Sequence, residues 1–150
     1  MQTHRTVLAC DIGGIIIPLT NNGEGKPIFF TNEYLRLSPM VESIRALREV
    51  VEVLGPGSVY LMSRAEPGLE RRLLTWLRHH RVFELTGIAE SHLAVPGDKA
   101  TSCCELHVTH YINDKHKELD ALQGSVLNLF LFDPDDPVGS WRRIIPELLK

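Results

Sequence analysis

The stretch from Val7 to Ile17, VLACDIGGIII, constrains this chain more than any other. Its first half is unbroken Val, Leu, Ala and Cys without polar alternation, which predicts a strand buried on both faces, as in parallel sheets. The run stops at Asp11, bends through Gly13 and Gly14, and resumes with Ile15, Ile16 and Ile17. An acid at the carboxyl end of such a strand lies where open α/β sheets bind ligands, so Asp11 is the first candidate for chemistry. The competing reading makes Asp11 a cap for the turn that follows.

Downstream, apolar strands alternate with amphipathic helices. Pro39 to Leu54 places Val41, Ile44, Leu47, Val50, Val51 and Leu54 on one helical stripe, and Gly55-Pro56-Gly57 stops it. Ser58 to Met62 is a second strand ending at Ser63. Pro67 to His80 is a helix with Leu69, Leu73, Leu74, Trp76 and Leu77 inward and Glu70, Arg71, Arg72 and Arg78 toward water. His92 to Val95 is a short strand. Asp98 caps a helix running to about Leu106, and Val108 to Ile112 is a fourth strand ending at Asn113-Asp114. Lys115 to Leu122 is a helix, Val126 to Phe132 a fifth strand, and Val138 to Leu149 a last helix containing Pro146. This alternation predicts a single α/β, Rossmann-like three-layer domain over residues 1–150, a five-stranded parallel sheet with helices on both faces. The Asn-, Gly- and Pro-rich segment 18–39 is longer than an ordinary connection and carries Phe29, Phe30 and Tyr34, which either close over a ligand or pack back onto the body.

Composition sets outer bounds. A chain of 150 residues, 43% hydrophobic, is long enough to bury about 68–70% of its unfolded surface without a covalent staple. A formal charge of −3 offers no basic footprint for nucleic acid. Cys10, Cys103 and Cys104 are odd in number and two are adjacent, which does not suit a disulfide framework. With no apolar leader in MQTHRT and no run near the roughly 18 residues of a membrane span, the expectation is a cytoplasmic, soluble protein without a membrane partner. Cys103, Cys104, His107 and His110 resemble a zinc set, but adjacent helical cysteines point about 100° apart, and the reading is disfavoured.

Parallel topology gathers the carboxyl ends of the strands on one edge, bringing Asp11, Ser63, Lys99, Asn113 and Asp114 together. In order and strand context these positions resemble the motifs of the haloacid-dehalogenase-like phosphotransferase superfamily over roughly residues 6–132. VLACDIG resembles its first motif, whose leading Asp attacks phosphorus; Asp11 matches it, and Gly13 stands where a second Asp works as general acid and base. Ser63 in VYLMSR resembles the Ser or Thr that hydrogen-bonds a phosphoryl oxygen, and Lys99 in GDKA the Lys that neutralises phosphoryl group and nucleophile. Asn113-Asp114 is similar to the paired acids of the fourth motif, with Asp114 the magnesium ligand.

The resemblance implies a Mg²⁺-dependent phosphatase-like hydrolase with a minimal cap. It would form an aspartyl-phosphate on Asp11, assisted by Ser63 and Lys99, with metal held by Asp11, Asp114 and the main-chain carbonyl of Gly13. Two carboxylates suit Mg²⁺, and charge neutralisation around a positioned nucleophile is what phosphoryl transfer requires. Asn113-Asp114 followed by Lys115 is similar to the family's nucleotidases, which makes the expected substrate a small phosphate ester, with nucleotides included. A site without a large cap either admits a bulky phosphorylated partner or is covered by a second copy, as a homo-oligomer. Three simpler readings stay open: Ser63 as an N-cap, Lys99 as a solvated lysine and Asn113-Asp114 as a turn. Arg64 is either an anion contact or half of a surface ion pair. The alternative function is a phosphate- and Mg²⁺-binding or protein-interaction module without turnover, because Gly13 supplies no acid. A receiver-like signalling domain is weaker, since Asp11 is the only early acid.

Overall fold

The computed structural model describes residues 5–64 and 66–150; residues 1–4, on which the reading of the N-terminus partly falls, lie outside the described residues. The strands β1 (Leu8–Asp11), β2 (Val59–Met62), β3 (Leu93–Ala94), β4 (His110–Asn113) and β5 (Asn128–Leu131) form one all-parallel sheet in the order β3-β2-β1-β4-β5. Among the described residues the helices are α1 (Val41–Leu54), α2 (Leu69–His79), α3 (Val82–Thr86), α4 (Lys99–Glu105), α5 (His116–Asp120) and α6 (Pro137–Leu148). None is long and apolar enough to cross a membrane.

Side-chain alternation along the strands sorts the interior into two cores. Leu8 and Cys10 of β1, Val59 and Leu61 of β2, and Ile112 of β4 face one side, where Leu47, Trp76, Val82 and Trp141 of α1, α2, α3 and α6 cover them. Val7, Ala9, Met62 and Tyr111 face the other, covered by Cys103 of α4 and Leu119 of α5. Helices therefore lie on both faces, and the architecture is α/β of Rossmann-like kind.

Most differences from the sequence reading lie at element edges. The strand of the opening stretch ends at Asp11, and the three isoleucines form a buried turn in which the Ile12 carbonyl accepts from Ile16 and Ile17 at 2.9 and 3.1 Å. Val41 is half exposed, whereas Ser43 is buried because its hydroxyl accepts the Trp141 indole N–H at 2.9 Å, joining α1 to α6. The His92–Val95 strand shrinks to two residues.

Segment 18–39 is an ordered flap. Ile28 N–H donates to Thr20 at 2.9 Å and Asn22 N–H to Lys26 at 2.7 Å, closing a hairpin whose turn is braced by the Asn22 side chain. Phe29 packs inward, edge-on to Tyr34 at 5.9 Å, as the packing reading expects, while Phe30 remains 49% exposed. Arg72, read from the sequence as water-facing, is what fastens the flap to α2. Its guanidinium donates to the carbonyls of Phe29 and Thr31 at 3.1 and 3.2 Å and lies 4.3 Å above the Tyr34 ring. Trp76 adds an indole bond to the Leu37 carbonyl at 3.0 Å. Charged donors on carbonyls contribute about 1.5–3 kcal/mol, so Arg72→Ala is expected to lower stability by roughly 1–2 kcal/mol and speed amide exchange in residues 20–37. Exchange rates unchanged in that segment would mean that the clamp is decorative.

Candidate functional site

The chain leaves β1 toward β2 and β3 on one side, then returns to β4 and β5 on the other. The crevice at such a switch point opens between the carboxyl ends of β1 and β4, and these carry Asp11 and Asn113-Asp114. Register aligns them. Cys10 lies beside Ile112, so Asp11 comes abreast of Asn113, while Asp11 pairs with Met62 and puts Ser63 one residue beyond it. Asp11 shares the side-chain parity of Ala9 and so belongs to the face that α4 and α5 cover.

That parity explains the central contact. Lys99, the first residue of α4, donates to Asp11 Oδ1 at 2.8 Å and reaches Glu118 Oε1 of α5 at 3.3 Å. Both members of the Lys99–Asp11 pair are nearly buried. Asp98 caps α4 as expected, accepting Ala100 N–H at 3.2 Å and the Thr101 hydroxyl at 2.7 Å, which fixes where Lys99 starts. The buried pair accounts for a cation in a helix's first turn, where the dipole disfavours it. Lys99 is not a solvated lysine.

Burial pushes the Asp11 carboxyl up from 3.8 to about 6; Lys99 opposes this by charge and hydrogen bond, while Glu118 and Asp114 add to it. Asp114 is also raised, chiefly by burial. Its Oδ1 is buried with no hydrogen-bonding partner among the described residues, as is Asn113 Nδ2 next to it. Asn113 Oδ1 accepts Lys115 N–H at 3.0 Å, so the expected turn exists, and Asp114 is left over from it, turned toward the first loop. Gly14 makes room. A Cβ built there would lie 2.7 Å from Asp114 Cγ, and its φ of 81° is one that side-chain-bearing residues avoid.

Asp11, Lys99 and Glu118 line a cleft of about 280 Å³ that also touches Gly13, Ser63, Arg64 and Lys115. Ser63 donates its backbone N–H to Ala94 at 3.1 Å and is not the N-cap of α2, a position held by Gly68. Arg64 is exposed at the rim, and among the described residues no ion pair holds it. The structure thus brings Asp11, Gly13, Ser63 and Lys99 to one cleft, with Asp114 packed against the Gly13-Gly14 loop that floors it. Glu118 is the residue that sequence reasoning missed; its only signal is an acid four positions, one helical turn, past Asp114.

For a metal, the corner offers hard oxygen donors: two carboxylates, one with an unpartnered buried oxygen, and the loop carbonyls. Among the described residues no three His, Cys, Asp or Glu side chains are gathered as a metal centre, and Cys103 is buried in the second core while Cys104 is exposed. No family model matches the chain, and no curated protein matches it in sequence.

Proposed function

We propose that this chain is a Mg²⁺-dependent phosphatase-like hydrolase of the haloacid-dehalogenase-like kind, acting on a small phosphate ester through an aspartyl-phosphate on Asp11. The observation that carries the reading is a nearly buried carboxylate at a sheet switch point, held 2.8 Å from Lys99 at the floor of a cleft. Strongly perturbed acids in clefts are where nucleophiles and bases are found.

In this reading an Asp11 carboxylate oxygen attacks phosphorus, and the ester oxygen leaves with the electron pair of the broken P–O bond. Water then cleaves the aspartyl-phosphate, releasing phosphate and restoring Asp11. Lys99 keeps Asp11 ionised near neutrality and places positive charge beside the transferring group. Glu118 holds the Lys99 ammonium in place. Ser63 offers a hydroxyl to a phosphoryl oxygen.

Charge arithmetic supports a metal as well. Asp11, Glu66 and Glu118 line the cleft against Arg64, Lys99 and Lys115, so its formal charges cancel before Asp114 is counted. A phosphate dianion would enter uncompensated. Asp11, Asp114 and the Gly13 carbonyl would hold Mg²⁺, which would supply the missing positive charge for the phosphoryl oxygens.

Gly13 favours a second reading, a phosphate- and Mg²⁺-binding module without turnover, since no side chain there protonates a leaving group. The position tolerates one. Its φ is outside the left-handed region, and an added Cβ would meet only Leu19 Cδ2 at 3.8 Å, an ordinary contact. A positioned acid is typically worth about 10²–10⁴-fold, so wild type should hydrolyse aryl phosphates far better than alkyl phosphates in Mg²⁺, and Gly13→Asp should raise the alkyl rate by roughly 10²-fold. Rates for phenyl and ethyl phosphate, with Mg²⁺ and with EDTA, make the test. Binding of Mg²⁺ and phosphate with no turnover of either ester, in wild type or Gly13→Asp, would leave only the binding module.

A further inference from the structure

Beyond the polar end of the cleft, its walls are apolar and come from two elements. The flap contributes Pro18, Leu19, Pro27 and Phe30; α2 contributes Leu69 and Leu73. We infer that the cleft selects phosphate esters with a compact apolar leaving group, a single aromatic ring or a body of that size, held between flap and helix; this rests on the phosphate reading above.

Size is the first argument. A benzene ring is held by a cavity of about 150 Å³, so a cleft of about 280 Å³ takes one ring and a phosphoryl group. Sites for larger ligands usually run from about 300 to 1,000 Å³. Chemistry is the second. A sugar pressed against Pro18, Leu19, Pro27 and Phe30 would find no side-chain partner on that wall for its hydroxyls, and an unpaired buried hydroxyl is penalised far more than a missing methylene. The remaining polar side chains of the lining, Arg64, Glu66 and Lys115, are exposed. A bond from such a group to a sugar hydroxyl replaces a bond to water and adds little net.

The wall is also pre-formed and left wet. Leu19 is 55% and Phe30 49% exposed, although the flap carrying them is fastened by Arg72 and by inward packing of Phe29. Large apolar side chains held open to water beside a built polar site are what an apolar ligand covers. Leaving-group chemistry agrees. A phenolic oxygen keeps the electron pair of the broken P–O bond without prior protonation and takes its proton from water afterwards, as a floor lacking an acid at Gly13 requires.

The experiment uses phenylphosphonate, methylphosphonate, ribose 5-phosphate and inorganic phosphate, titrated calorimetrically into the whole chain in Mg²⁺. Phenylphosphonate should bind at least about tenfold tighter than methylphosphonate or ribose 5-phosphate, within the range one apolar contact set provides. Leu19→Ser and Phe30→Ser, both at exposed positions where the fold is not at risk, should each cut the phenyl-to-methyl ratio at least about threefold. Phenylphosphonate preference without turnover of phenyl phosphate supports the selectivity and removes the hydrolase. Equal binding of all organic probes, or a preference for ribose 5-phosphate, overturns the selectivity and leaves phosphate binding standing. No binding of any probe, inorganic phosphate included, overturns both.

Discussion

Asp11→Asn should abolish turnover and, in metal-free buffer, make the protein more stable near pH 7.5. Loss of a nucleophile costs at least about 10³-fold in enzymes that use one, and an amide cannot replace the carboxylate. The stability gain follows from the raised carboxyl. Between 3.8 and about 6 the folded chain keeps on Asp11 a proton that the unfolded chain has released, so this residue's contribution falls as pH rises through that window. Above it the full penalty applies, on the order of 3 kcal/mol for a shift of that size. That shift already contains the 2.8 Å pair with Lys99, so asparagine escapes it whole, but its amide nitrogen adds a buried donor that needs a partner, and Lys99 retains a single carboxylate, Glu118 at 3.3 Å. The net gain expected at pH 7.5 is therefore about 1–2 kcal/mol, vanishing or reversing near pH 4, where wild-type Asp11 is neutral in the fold. Urea denaturation of both proteins at the two pH values, in EDTA, reads it directly. A variant less stable than wild type at pH 7.5 would show that the ion pair outweighs burial. Retention of a tenth of wild-type turnover would dismiss Asp11 as the nucleophile.

Elements whose burial is decided by their own sequence were legible, and those decided by a distant partner were not. The apolar runs ending at Asp11, Met62 and Asn113 announce strands, and parallel topology alone aims their ends at one edge. Lys99 could be singled out because its charge conflicts with the helix dipole. Its partner Glu118 carries no such conflict, since an acid in the first turn of α5 looks like ordinary dipole complementation. Arg72 reads as a solvated charge on an amphipathic helix, and only the fold of the flap supplies the carbonyls that it holds. For the same reason the apolar wall of the cleft stays hidden: Leu19 and Leu69 are far apart in the chain and line one cleft only in the folded chain. The helix read as ending at His80 matches α2, but α3 over Val82–Thr86 goes unread, being a single short turn entered through Arg81 at φ 56°, a conformation that residue type does not advertise.

Gly14→Ala is expected to be strongly destabilising for a single added methyl. Of the two glycines after Asp11, the motif resemblance draws the eye to Gly13, but backbone geometry puts the constraint on Gly14. An alanine there must adopt φ near 81°, which costs roughly 1–2 kcal/mol, and its Cβ would collide with the Asp114 carboxylate. Asp114 cannot simply withdraw, because Asn113 before it is fully buried in β4 and tied to Lys115 N–H. The expected loss is about 2–4 kcal/mol in total, against less than about 1 kcal/mol for Gly13→Ala, where the backbone is relaxed and the space open. A double-mutant cycle separates the two contributions: Asp114→Ala in the Gly14→Ala background should recover the collision but not the backbone strain, leaving about 1–2 kcal/mol unrecovered. Mg²⁺ titration of Gly14→Ala adds a functional readout, since displacing Asp114 should weaken binding even where the fold survives. If Gly14→Ala proves as mild as Gly13→Ala, Asp114 does not lie against the loop, and its proposed metal role goes with it.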